Sequence, residues 1–138
     1  MDSRIMIVDD EAMIREAVEI LFQSEGLEIV AASGGKECIG HLESGFRGVI
    51  LMDIMMPVMD GWDTIRQIVA KGLYEGNIIV MLTALDAPGD KMEGLQEYVT
   101  DYVTKPFDTH TLLNSHQYYL GLLQEETGEQ RFASAVNR

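Results

Sequence analysis

Cysteine occurs once in the 138 residues, at Cys38, so no internal disulfide can form and a disulfide-stapled scaffold is excluded. Long apolar runs are missing too, none approaching the ~18 residues needed to cross a bilayer. Basic residues are scarce: ten Lys and Arg stand against 23 Asp and Glu, giving a net charge of −13. Such a surplus repels nucleic acid phosphates and anionic lipid surfaces alike, so neither direct nucleic acid binding nor membrane association is expected. No repeat or low-complexity block is present. The N-terminus leads straight into an apolar strand with no signal-peptide pattern, and the expected location is cytoplasmic.

What the chain does have is an ordinary apolar share, 46%, at a length that suits one domain. A chain of this size buries roughly two-thirds of the surface its unfolded form exposes. Four short stretches read as strands: Ile5-Met6-Ile7-Val8, Val49-Ile50-Leu51-Met52, which reads as buried on both faces, Ile78-Ile79-Val80-Met81-Leu82, and the short Tyr102-Val103-Thr104. Leu27 to Ala32 reads as a further short strand, placed at a sheet edge.

Between these strands the apolar period changes to that of a helix. The first helix carries Met13, Ile14, Ala17, Val18, Leu21 and Phe22 on one face and stops at Glu25-Gly26. Ser33 is the expected cap of a second helix, with Cys38, Ile39 and Leu42 inward. A third begins near Trp62 and buries Ile65, Ile68 and Val69. Pro88 suits the first turn of a fourth, with Met92 and Leu95 inward. The fifth opens at Asp108 or Thr109 and carries Leu112, Leu113, Tyr119, Leu120 and Leu123. Five βα units in alternation imply a doubly wound parallel sheet with helices on both faces.

The strand ends carry the chemistry. Asp9 and Asp10 follow the first strand, Asp53 ends the third, Thr83 ends the fourth and Lys105 follows the fifth. In an open parallel sheet the carboxyl ends of the strands form the ligand-binding rim. That rim then holds three carboxylates, one hydroxyl and one ammonium. Carboxylates ~4 Å apart repel by about 4 kcal/mol per pair at an effective dielectric near 20, so the cluster calls for a cation. All-oxygen ligands favour Mg²⁺, which keeps several waters and takes phosphate oxygens as further ligands. Each residue alone has a plainer reading, since a strand-end Asp is usually a turn former or a helix cap. His41, His110 and His116 lack ligand spacing and read as surface or helix-face residues, and Cys38 reads as helix packing.

Taken in order, Asp9-Asp10, Asp53 with Pro57 and Gly61 behind it, Thr83, and Lys105-Pro106-Phe107 resemble the receiver domain of two-component response regulators. The resemblance implies a flavodoxin-like (βα)5 fold with strand order 2-1-3-4-5, an order general accounts of this fold already give for the chemotaxis member of the family. It implies a receiver domain over residues 1–123, followed by a polar C-terminal tail, 124–138, read as a frayed helix extension or a loose tail. It implies Asp53 as phosphoacceptor, with Mg²⁺ held by Asp10, Asp53 and the backbone carbonyl of Met55, and Asp9 acting mainly through water. Thr83 and Lys105 would bind phosphoryl oxygens, a cis peptide before Pro106 would aim the lysine inward, and Tyr102 would act with Thr83 as the switch. The partners implied are a histidine kinase or phosphotransfer protein and a downstream protein that reads the surface of helix four, strand five and helix five. The chain would catalyse only its own phosphorylation and a slow dephosphorylation, because neither Met55 nor Leu85 can orient an attacking water. A phosphohydrolase of related type would carry a second acid two residues after its nucleophile, where this chain has Met55. One departure stands out: Tyr98-Val99 replaces the Gly-Ala pair that usually leads into strand five, so either a bulky residue takes φ > 0 or the preceding helix ends differently.

Overall fold

The computed structural model describes residues 4–84 and 94–136, with side chains as far as Leu123. Strands β1 (Ile5–Val8), β2 (Val30–Ala32), β3 (Val49–Asp53), β4 (Ile78–Thr83) and β5 (Val99–Thr104) form one sheet in the order β2-β1-β3-β4-β5. Every pairing is parallel, which requires crossover connections. The helices α1 (Ala12–Ser24), α2 (Gly35–Glu43) and α3 (Gly61–Ala70) make the connections up to β4, and α4 (Thr109–Val136) follows β5. The expected fourth helix, with Pro88 and Met92, falls mostly on residues 85–93, outside the described residues, and α4 is the helix expected as the fifth. It continues through Val136 as one helix.

Strand side chains alternate between faces, and the core divides accordingly. Met6, Val8, Ile50, Met52, Ile79 and Met81 point toward α2 and α3, where Ile39, Leu42, Trp62, Ile65 and Ile68 meet them. Ile7, Leu51, Val80 and Leu82 point the other way, onto Val18 and Phe22 of α1 and Leu112, Leu113, Tyr119 and Leu123 of α4. The central strands β1, β3 and β4 are thus buried on both faces, as their unbroken apolar runs require.

Several expectations need correction. β2 begins only at Val30, because Leu27 and Ile29 serve as packing residues in the approach to the strand. β5 begins earlier than Tyr102, at Val99, and a register irregularity opposite Ile79 and Val80 takes up the extra length. Ser33 is not the cap of α2. Gly34 holds that position in extended backbone, while the Ser33 hydroxyl donates to the Glu37 carboxylate at 2.9 Å. Met13 and Ala17 are exposed: the first turns of α1 stand at the rim, lining an open groove with Pro106 and Phe107 rather than the core. His116 is buried, its ring against Phe22 and its Nδ1 bonded to the Leu113 carbonyl.

The departure before strand five resolves as a different ending. A 3-10 turn, Gln96–Tyr98, leads into β5, the positive φ falls on Gly94, and Val99 is extended. Tyr98 packs edge-on against Tyr74, with ring centroids 5.0 Å apart.

Candidate functional site

The third strand is apolar until its last residue, so Asp53 is carried to the rim by a rigid element and left there 4% exposed. Behind it the chain must turn at once. Pro57 and Val58 build that turn, Val58 with φ 68°, and Asp60 then caps α3 through a reciprocal capping box with Asp63. Gly61 closes the turn by donating its N–H to the Ile54 carbonyl at 2.8 Å. A Cβ on residue 61 would stand 2.8 Å from the Asp53 carbonyl oxygen and 2.9 Å from the Ile54 α-carbon, so the sequence Asp60-Gly61 is needed where α3 starts against the site strand.

Asp9, 0% exposed, has every polar atom engaged. Its Oδ1 accepts from the Glu11 N–H at 2.9 Å, its Oδ2 from Lys105 Nζ at 2.7 Å, and its backbone carbonyl from Arg15 Nη1 at 2.8 Å. Asp10 is exposed. Carboxylate oxygens of Asp9, Asp10 and Asp53 all lie within 4.8 Å of one another. Lys105 Nζ also lies 3.4 Å from Asp53 Oδ1, which accepts the Met55 N–H at 3.2 Å. The Lys105 backbone N–H donates to the Thr83 carbonyl at 2.7 Å, which ties the residue to the end of β4, and the Lys105–Pro106 peptide is cis.

The electrostatics follow from this crowding. Burial and the neighbouring Asp9 charge push the Asp53 carboxyl up from 3.8 to about 6, and Lys105 with the Met55 N–H only partly offset them. Burial works to discharge Lys105. Its bond to Asp9 and the charges of Asp53 and Asp9 outweigh that and hold the ammonium above its ordinary value. Three hard oxygen donors gathered within 4.8 Å of one another are the ligand type that a small divalent cation such as Mg²⁺ takes.

Thr83, Lys105, Asp9, Asp10 and Asp53 thus share the carboxyl end of one sheet, although the Thr83 hydroxyl is turned onto the Ala84 carbonyl at 2.8 Å. Tyr102 stands apart on β5, paired with Met81, 44% exposed, its ring 6.4 Å from that of Trp62. Leu85 lies outside the described residues. Sequence reasoning missed Arg15, whose only signal was its place in the first turns of the helix after Asp9.

Residues 5–117 match the family described as the response regulator receiver domain. The chain belongs to that family. A CheY-like receiver domain protein from Methanospirillum hungatei JF-1 is 50% identical, with a TM-score of 0.85 over 89% of this chain and 98% of that one. The chemotaxis response regulator CheY4 of Vibrio cholerae is 32% identical, with a TM-score of 0.72 over 87% and 100% of the two chains. The Francisella response regulator 1452 receiver domain is 27% identical, with a TM-score of 0.72 over 91% and 99%. A receiver is a signalling domain of two-component systems, and this one keeps the acids, hydroxyl and lysine on one rim. Among the described residues no helix of this receiver is long and apolar enough to cross a membrane.

Proposed function

We propose that this receiver takes a phosphoryl group on Asp53 and passes the change to a protein partner. The observation that carries the reading is the buried Asp53 carboxylate beside Asp9 and Asp10, with the Lys105 ammonium 3.4 Å away. An Asp53 oxygen attacks the phosphorus of a phosphohistidine on a kinase or phosphotransfer protein, or of a small acyl phosphate. The new P–O bond forms as the bond to the leaving nitrogen or oxygen breaks, and the leaving group keeps the electron pair. Lys105 neutralises charge on the phosphoryl oxygens, and Thr83 rotates away from Ala84 to donate to one of them. Asp10, Asp53 and the Met55 backbone carbonyl would hold Mg²⁺, with Asp9 acting through water. When bound, the ion screens the carboxylates and the incoming phosphoryl charge.

Tyr102 and Thr83 form the switch, and the surface of β5, α4 and the segment before β5 is what a downstream protein reads. A cytoplasmic setting suits a phosphodonor of this kind. Residues 124–136, although helical, stand beyond the receiver domain proper, which ends near Leu123.

The test is intact mass after incubation with acetyl phosphate and Mg²⁺, beside an Asp53→Ala control. One phosphoryl adduct that requires both Mg²⁺ and Asp53 supports the reading. Release of phosphate without an adduct would place the chain among hydrolases, and neither outcome would leave it a docking module. Met55 is exposed at the rim and offers no group to orient water, so the adduct should decay slowly. A Met55→Asn variant should lose it at least severalfold faster.

A further inference from the structure

Trp62 is 2% exposed, and its indole N–H is the one buried side-chain donor without a hydrogen-bond partner among the described residues. Buried N–H groups are nearly always paired, so an orphan of this kind marks a place where a partner is missing in the state observed. The residue beside it is Tyr102. The two rings lie 6.4 Å apart at 46°, and Tyr102, half-exposed on the edge strand, makes no side-chain hydrogen bond to a described residue. A buried donor with no protein partner and a solvent-facing phenolic oxygen are therefore neighbours across one ring contact.

We propose that Trp62 Nε1 is the internal docking point of the Tyr102 hydroxyl. Tyr102 has two staggered positions to choose between. In the outward one its hydroxyl is hydrated and the indole N–H stays unsatisfied. In the inward one the ring is buried against Met81 and Trp62, and the phenolic oxygen accepts the indole proton. Each position satisfies something the other leaves open: outward keeps the hydroxyl in water, inward pairs the indole and buries the ring. A change at the neighbouring end of β4 then shifts the population between the two positions. Trp62 is then a positioning residue for the switch, selecting tyrosine over phenylalanine at 102 by its hydrogen bond rather than by ring size.

This inference rests on the phosphorylation reading above, and its test separates the two. The chain has one tryptophan, so a ¹⁵N-labelled sample gives one indole N–H resonance. Its position and its exchange with solvent deuterium are followed with and without acetyl phosphate and Mg²⁺, in the natural protein and in Tyr102→Phe, at phosphoryl occupancies matched by intact mass. Phenylalanine keeps the ring at a half-exposed position and removes the acceptor, so folding is retained. The expected result is a downfield shift of the indole proton on phosphorylation, with exchange slowed roughly fivefold, in the natural protein and not in the variant. An adduct with an unmoved indole, or with the same change in both proteins, overturns the inference and leaves the phosphorylation reading standing. Absence of an adduct overturns both.

Discussion

Lys105 is bonded more tightly to Asp9 than to Asp53, at 2.7 Å against 3.4 Å, so the buried acid that follows β1 takes most of the Lys105 ammonium. Asp53 is left undercompensated. Its carboxyl, raised to about 6, binds its proton more tightly in the folded chain than in the unfolded one.

The stability consequence has a definite sign. Folding takes up a proton between about pH 4 and pH 6, so Asp53 favours the folded state least once it is ionised, and its penalty is complete above about pH 6. Asp53→Asn should therefore be more stable than the natural protein at pH 7.5 in a chelator, by up to about 3 kcal/mol. The gain should shrink as pH falls through 6 and vanish near 4. Urea unfolding at several pH values checks this, and a gain that persists unchanged at pH 4 would contradict it.

Gly61→Ala should be destabilising although alanine is the better helix former. The added Cβ meets the backbone of Asp53 and Ile54 inside 3 Å, and backbone cannot step aside as a side-chain tip can. A cost of about 2 kcal/mol is expected from overpacking of this kind, together with slower phosphorylation because α3 and the Asp53 strand must separate. Denaturant midpoints and adduct formation rates read the two effects.

Val58→Gly should do the reverse. Val58 is a β-branched residue at φ 68° with its side chain fully in solvent, so it bears left-handed strain and contributes no packing. Relief of ~1–2 kcal/mol of strain, less the extra freedom glycine gives the unfolded chain, leaves a net gain of about 0.5–1 kcal/mol. The denaturant midpoint should rise without a change in slope.

Much of this site was legible because the acids and Thr83 close apolar runs: a strand that is buried throughout and closes on Asp or Thr announces a rim. Sheet order came from the resemblance, since apolar runs do not say which strands are neighbours. Other features depend on relations the sequence does not carry. Met13 and Ala17 keep helical period with Val18, yet period cannot say how far a helix overhangs the sheet, and theirs lies over the groove by Phe107. His116 reads as polar, but one bond to the Leu113 carbonyl is enough for its ring to pack on Phe22. The strain at Val58 was hidden because valine ordinarily argues for a strand, and here the turn behind Asp53 overrides it. Arg15 acts through a backbone carbonyl, an acceptor that every residue possesses.

The division of the core by the sheet has an energetic corollary. Among the described residues the buried apolar side chains fall into two separate clusters, one on each face, with the strand backbone between them. Ile65→Val on one side and Leu113→Ala on the other should then be additive, with a double-mutant coupling below about 0.5 kcal/mol. Each half can drift in sequence without consulting the other, and the strand backbone ending at Asp53 is the common wall through which either half could register what happens at the rim.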